Sequence, residues 1–177
     1  MEAKQLIVDG DHRLFDKTNM FYKKFASDQR QIRYFALVVV QKAPPEIHEI
    51  NLLEQQISEL LKNAVKHGNR NDPGKSIHVW YSFSQEEARL IVEDEGDGFQ
   101  NLEMWNDFNR KRIQCLQERN FDELDNFVSF RTERSDEHDG GNALFAAMEY
   151  WDQGMVYNDK KNAVAVGKHF EKKRLEV

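Results

Sequence analysis

Glu59 and Asn63 stand one helical turn apart in "ELLKNAVKHGN", and their types suit phosphate-transfer chemistry. A carboxylate can act as general base on an attacking hydroxyl. An amide oxygen can serve Mg²⁺, which takes few protein ligands and fills its other positions with phosphate and water. A second carboxylate, Asp94, ends the apolar run "LIVED" and is followed by Gly96 and Gly98. On a strand, Leu90, Val92 and Asp94 share one face. A carboxylate closing a buried row costs on the order of several kcal/mol unless a donor meets it, and an adenine amino group is one such donor. Glycines beyond it let backbone approach a flat ring. The third stretch is "HDGGNALF" at 138–145. Glycines at a helix start expose N–H groups where the helix dipole favours phosphate. Each stretch also has a plainer reading: a solvated helix face, a polar strand end entering a turn, and an ordinary helix start.

Elements must hold these groups in place. A helix is expected from about Glu46 to His67, with Ile50, Leu53, Ile57, Leu60 and Ala64 on its apolar stripe. Glu59, Asn63 and His67 then fall at i, i+4 and i+8 on a different face. Gly68 and the turn-rich "NRNDPG" end it. Two hairpin strands follow at 75–84 and 87–94, then two amphipathic helical stretches within 100–139. A helix at 141–151 leads to a last hairpin, 154–159 and 162–170, turning at "DKKN". Ahead of these, the sequence predicts a strand at 4–9 and a helix from Asp11 to about Ser27 carrying Leu14, Thr18, Phe21 and Phe25. The run "QIRYFALVVVQ" at 31–41 is apolar without alternation and rich in β-branched residues, which predicts a central strand. The order βαβα, ββ, helices, αββ implies helices layered on a mixed sheet.

Composition bounds the class. The chain has 177 residues, 40 % of them hydrophobic and 32 % charged, as expected for one globular domain. Its net charge of −6 gives no global field toward nucleic acid or anionic lipid. A lone cysteine, Cys115, excludes an internal disulfide framework and fits a reducing compartment. With no signal-peptide pattern and no apolar run long enough to span a bilayer, a cytoplasmic location is expected. The other histidines show no metal-ligand spacing, and no Cys/His cluster suggests zinc.

Taken in order, "ELLKNAVKHGN", "NDPGKSIHVWYS", "IVEDEGDGF" and "GGNALF" resemble the GHKL family of ATP-binding domains. "NAVKHGNRNDP", the short chain and the absence of a phosphoacceptor helix pair bring it nearest to bacterial anti-sigma-factor serine kinases. The resemblance covers about residues 46–168. It implies an α/β chain of the α+β two-layer sandwich type: a mixed, mostly antiparallel sheet covered on one face by helices, in one domain over 1–177. It implies ATP and Mg²⁺ as cofactors. Asn63 would ligate the metal, and Glu59 would be the catalytic base. Asp94 would accept from the adenine amino group, and Gly96 and Gly98 would shape the turn beneath the ring. His67, Gly140, Gly141 and Leu144 would complete the nucleotide-binding set, and 100–139 would form a long helical ATP lid. Within the lid, Arg110, Lys111, Arg112 and Arg119 could reach phosphates or a partner.

The implied partners are ATP, a sigma factor and a small anti-sigma-antagonist domain, with no direct nucleic acid and no membrane. Exposed apolar lid positions could also form a homodimer or partner face. Two departures stand out: Ala143 occupies the second glycine of the family's Gly-x-Gly-Leu loop, and "NAVAVGKHF" lacks the usual adenine-site Thr. They leave open a non-catalytic interaction module, and a stand-alone histidine-kinase catalytic domain is a further alternative.

Overall fold

The computed structural model describes residues 2–127 and 142–171. Six strands form one sheet: β1 (Ile7–Val8), β2 (Phe21–Ala26), β3 (Ser76–Phe83), β4 (Glu87–Glu93), β5 (Gly154–Tyr157) and β6 (Ala163–His169). The helices are α1 (Ile32–Val40), α2 (Ile50–Asn63), α3 (Leu102–Gln117), α4 (Phe121–Leu124) and α5 (Asn142–Tyr150). The strand order is β1-β5-β6-β4-β3-β2. Only the β1–β5 pair is parallel, so the sheet is mixed and mostly antiparallel, as expected.

Alternation along the strands separates two apolar clusters. Ile77, Val79, Leu90, Val92, Val164 and Val166 join α1, α2 and α5 in the main core. Ile91, Val156 and Ala165 point the other way and are covered by Leu14 from a short 3-10 turn, Arg13–Phe15. The Arg89 guanidinium fastens this turn by donating to the carbonyls of Arg13, Leu14 and Asp16 at 3.0, 3.0 and 2.8 Å.

The expected first strand at 4–9 forms as the short β1, but residues 11–41 depart from the sequence reading. No helix runs from Asp11 to Ser27. Asn19 takes a left-handed φ of 61° and ends any helical path, and 21–26 is the edge strand β2. Leu14 and Phe25 match helical spacing but lie on opposite faces of the sheet, Phe25 stacking on Phe35 at 4.4 Å. The run at 31–41 is helix α1, not a central strand. Its buried residues are Ile32, Phe35, Ala36 and Val39, spaced i, i+3, i+4 and i+7, while Arg33, Tyr34 and Leu37 face solvent. Tertiary burial overrides the β-propensity of its valines.

The expected helix 46–67 is shorter at both ends. It starts at Ile50, and beyond Asn63 it continues as one π-helical turn, Ala64–Gly68. His67 lies within this turn. Both expected hairpins form, with strands within a residue or two of their predicted bounds.

The first part of the expected lid is a seated helix. Leu102 of α3 lies in the main core, with Trp105 and Phe108 against it. Asn106 holds Leu6 by both backbone groups, accepting at 2.8 Å and donating at 2.9 Å, and buried Asn109 donates to the Lys4 carbonyl at 3.0 Å. Of the lid cations, Arg110 pairs with Asp107, while Arg112 donates to Asn109 and lies over the Phe145 ring. The second amphipathic stretch yields α4 and a further 3-10 turn to Phe127. The remainder of 100–139 lies outside the described residues.

Candidate functional site

Asp94 leaves β4 on the helix-facing side and lies against the end of the helix that carries Glu59 and Asn63. A side chain at Gly68 would collide with the Asp94 carboxylate, and one at Gly96 would collide with the Gly68 carbonyl. The two glycines therefore sit back to back, with Asp94 held between them. Gly98 has a φ of +98°, and a Cβ there would strike the Lys160 carbonyl. The paired glycines of "DEGDG" thus admit two different pieces of backbone: the end of the π turn and the β5–β6 turn.

Hydrogen bonds close the same junction. The Asp94 N–H donates to the Asn162 carbonyl at 2.9 Å, and Asn162 Nδ2 returns a bond to the Asp94 carbonyl at 3.1 Å. The Phe99 N–H donates to the Lys161 carbonyl at 2.7 Å. Asn69 is fully buried just beyond the π turn. Its Nδ2 donates to the Ser76 carbonyl at 2.9 Å and its Oδ1 accepts from the Glu95 N–H at 2.7 Å. One amide therefore ties the helix end to the start of β3 and to the Asp94 loop. Asn69→Ala would leave a partly buried carbonyl and a partly buried N–H without their partner. We expect a loss of about 2–3 kcal/mol, read as a lower denaturant midpoint with an unchanged slope.

The electrostatics of Asp94 follow from this enclosure. Burial pushes its carboxyl up to about 6, aided by the charges of Glu93 and Glu95. The Gly96 N–H donating to Oδ1 at 2.8 Å, and Lys75, act in the opposite sense. At neutral pH the group is an ionised, under-solvated acceptor, suited to a neutral donor such as an amino group on a ring.

The other expected site residues fall as follows. Glu59 and Asn63 are half-buried, neither in the core nor fully exposed, and Asn63 is the last residue of α2. His67 is half-buried in the π turn. Leu144 is buried in the main core near the start of α5, while Ala143 is exposed one residue before it. Gly140 and Gly141 lie outside the described residues. The structure therefore brings Asp94 and Gly96 to the end of the Glu59/Asn63 helix through Gly68. The sequence reading treated Gly68 and Asn69 as a helix stop and a turn. The signal was present in "HGN", because a glycine at a helix end can serve a close approach as well as a cap.

Comparison with known proteins identifies the family. Residues 25–168 match the model of the histidine kinase-like ATPase domain, and the chain belongs to that family. The family implies ATP binding. Among curated proteins, the chain is similar to the anti-sigma F factor of Shouchella clausii, 25 % identical over 88 residues, half of this chain and 60 % of that protein. It is also similar to the anti-sigma F factor of Clostridium perfringens, 33 % identical over 64 residues, 36 % of this chain and 46 % of that protein. The matches thus span about half the length of these relatives. Among the described residues, no helix is long and apolar enough to cross a membrane.

Proposed function

We propose that this chain is an ATP-dependent regulatory kinase that transfers the terminal phosphate of ATP to a serine or threonine hydroxyl on a small antagonist protein. In this reading it also binds a sigma factor and switches between the two partners in the cytoplasm. The observation that carries the reading is the junction of Asp94, Gly68 and Gly96, which joins a half-buried carboxylate to the end of the helix bearing Glu59 and Asn63. Similarity to anti-sigma F factors supports the choice of partners.

Each residue has a defined task in this scheme. Asp94 accepts from the adenine amino group and sets the base. Asn63 offers an amide oxygen to Mg²⁺, and the donor set fits, since that ion completes its shell with phosphate and water. When bound, the metal neutralises charge on the phosphates. Glu59 lies one turn before Asn63 and accepts the proton of the attacking hydroxyl.

Glu59→Gln keeps the shape and removes the base. Transfer of labelled phosphate to the antagonist should fall at least about 100-fold. ATP affinity by calorimetry should stay within about threefold, because the base is not what binds nucleotide. Undiminished transfer by this variant would remove Glu59 from the chemistry. Ala143 favours a second reading, a nucleotide-regulated binding module, since its exposed methyl stands at the second residue of α5. ATP binding with no phosphoprotein formed by the wild type would select that reading.

A further inference from the structure

The described residues include four buried polar side chains: Ser27, Gln56, Asn69 and Asn109. Two are satisfied at both ends. Asn69 bonds Ser76 and Glu95, and Asn109 donates to Lys4 and accepts from Arg112. Gln56 is different: it is 7 % exposed, and its Oε1 has no hydrogen-bond partner. Buried acceptors are rarely left without a donor, because water can no longer supply one. The Ser27 and Tyr150 hydroxyls, Arg89 Nε and Trp151 Nε1 are orphaned as well, but none of them stands on the helix that carries Glu59 and Asn63.

The position of Gln56 gives its orphan oxygen a meaning. It lies on α2 three residues before Glu59 and seven before Asn63. Residues at i, i+3 and i+7 of a helix fall in one file, with successive members in reach of each other. Gln56 therefore continues the file of candidate site residues inward. Leu53, Ile57 and Leu60 on the same helix are buried in the core.

We propose that Gln56 is a positioning residue for Glu59, holding an acceptor ready for the Glu59 carboxyl once that carboxyl bears a proton. This rests on the kinase reading above. In that reaction the O–H bond of the attacking hydroxyl breaks and its proton passes to Glu59. The hydroxyl oxygen bonds to the terminal phosphorus of ATP. The bond from that phosphorus to the bridging oxygen breaks, and its electron pair leaves with ADP. An ionised carboxylate only accepts, so Glu59 cannot partner Gln56 Oε1 beforehand; a protonated one has an O–H to donate. The acceptor is thus satisfied only as the proton arrives, the condition for preorganised stabilisation of the transfer.

Gln56→Met conserves length and removes the acceptor. The full chain, with ATP, Mg²⁺ and a serine-bearing antagonist domain, should show a roughly tenfold lower kcat and an unchanged nucleotide Kd. The nucleotide-free variant should melt at the same or a higher temperature, because an orphaned polar group has been replaced by an apolar one. A merely structural glutamine would lower the melting temperature and leave kcat unchanged in the folded variant. Gln56→Leu gives the same readouts if the methionine variant folds poorly. Wild-type kcat in either folded variant would overturn the role of Gln56 while leaving the kinase reading intact. Absence of Glu59-dependent transfer in the wild type would overturn both.

Discussion

Gly96→Ala is expected to cost about 3 kcal/mol of unfolding free energy, a large effect for one methyl group. The reason is steric. The added Cβ would fall on the Gly68 carbonyl, and that oxygen belongs to backbone at a helix end, which cannot swing aside as a side chain can. Guanidinium unfolding should show a much lower midpoint at a similar slope. Gly68→Ala should behave differently. Its Cβ would meet the Asp94 carboxylate, which can rotate away. We expect a smaller stability loss, about 1–2 kcal/mol, with a disproportionate loss of nucleotide binding because Asp94 has been displaced. Gly10→Ala is the control, since its Cβ would sit 3.5 Å from an Asp159 oxygen, an ordinary contact. Equal midpoints for Gly96→Ala and Gly10→Ala would mean that the two loops do not meet.

Asp94→Asn should stabilise the fold at pH 7.5 while weakening ATP binding about 10- to 100-fold. The binding loss corresponds to one charge-assisted hydrogen bond. An asparagine also has to choose between the Gly96 N–H, which needs an acceptor, and the ligand amino group, which needs another. The stability gain follows from the titration. The folded carboxyl sits at about 6, above an unfolded value of about 3.9. The folded state thus binds this proton more tightly than the unfolded state. That contribution to stability is fully present below about pH 4 and is lost as pH rises through about 6. At pH 7.5 the wild type bears a half-buried, ionised carboxylate that the amide variant lacks. The midpoint difference between the two proteins should therefore shrink toward pH 5, and wild-type ATP affinity should fall over the same interval as Asp94 takes up its proton. A pH-independent difference would place the Asp94 carboxylate in water, outside the junction described here.

These two results bear on different links of one chain of causes. The glycines decide whether three backbone segments can meet; Asp94 decides what that meeting can bind. A carboxylate held under-solvated is a standing cost in stability that a ligand donor offsets, the usual trade between stability and activity at a site. Gln56 fits the same pattern one layer deeper on α2.

The hairpins at 75–94 and 154–170, α2 and α5 were legible because their patterns are local. Strict alternation, a sustained helical stripe and a tight turn each leave a short-range trace. Residues 11–41 mislead a sequence reading because their pattern is ambiguous at short range. Valines at 38–40 raise β-propensity while the spacing of Ile32, Phe35, Ala36 and Val39 is helical, and only the surface that α1 and α2 share resolves the conflict. Phe21 and Phe25 imitate a helix with Leu14 until the sheet places Leu14 and Phe25 on opposite faces.

By itself, the sequence determined the candidate residue types and their order: a carboxylate and an amide one turn apart, a carboxylate closing a buried strand row, and glycines around it. Residue chemistry and strand or helix periodicity are properties of a few consecutive positions, so no folding is needed to read them. Tertiary structure alone decided that Gly68, not only Gly96 and Gly98, frames Asp94, that Asn69 and Asn162 lock the junction, and that Gln56 is buried with an unanswered acceptor. Those are contacts between positions far apart in the chain, or burials against other elements. Backbone proximity and desolvation exist only once the chain has closed on itself.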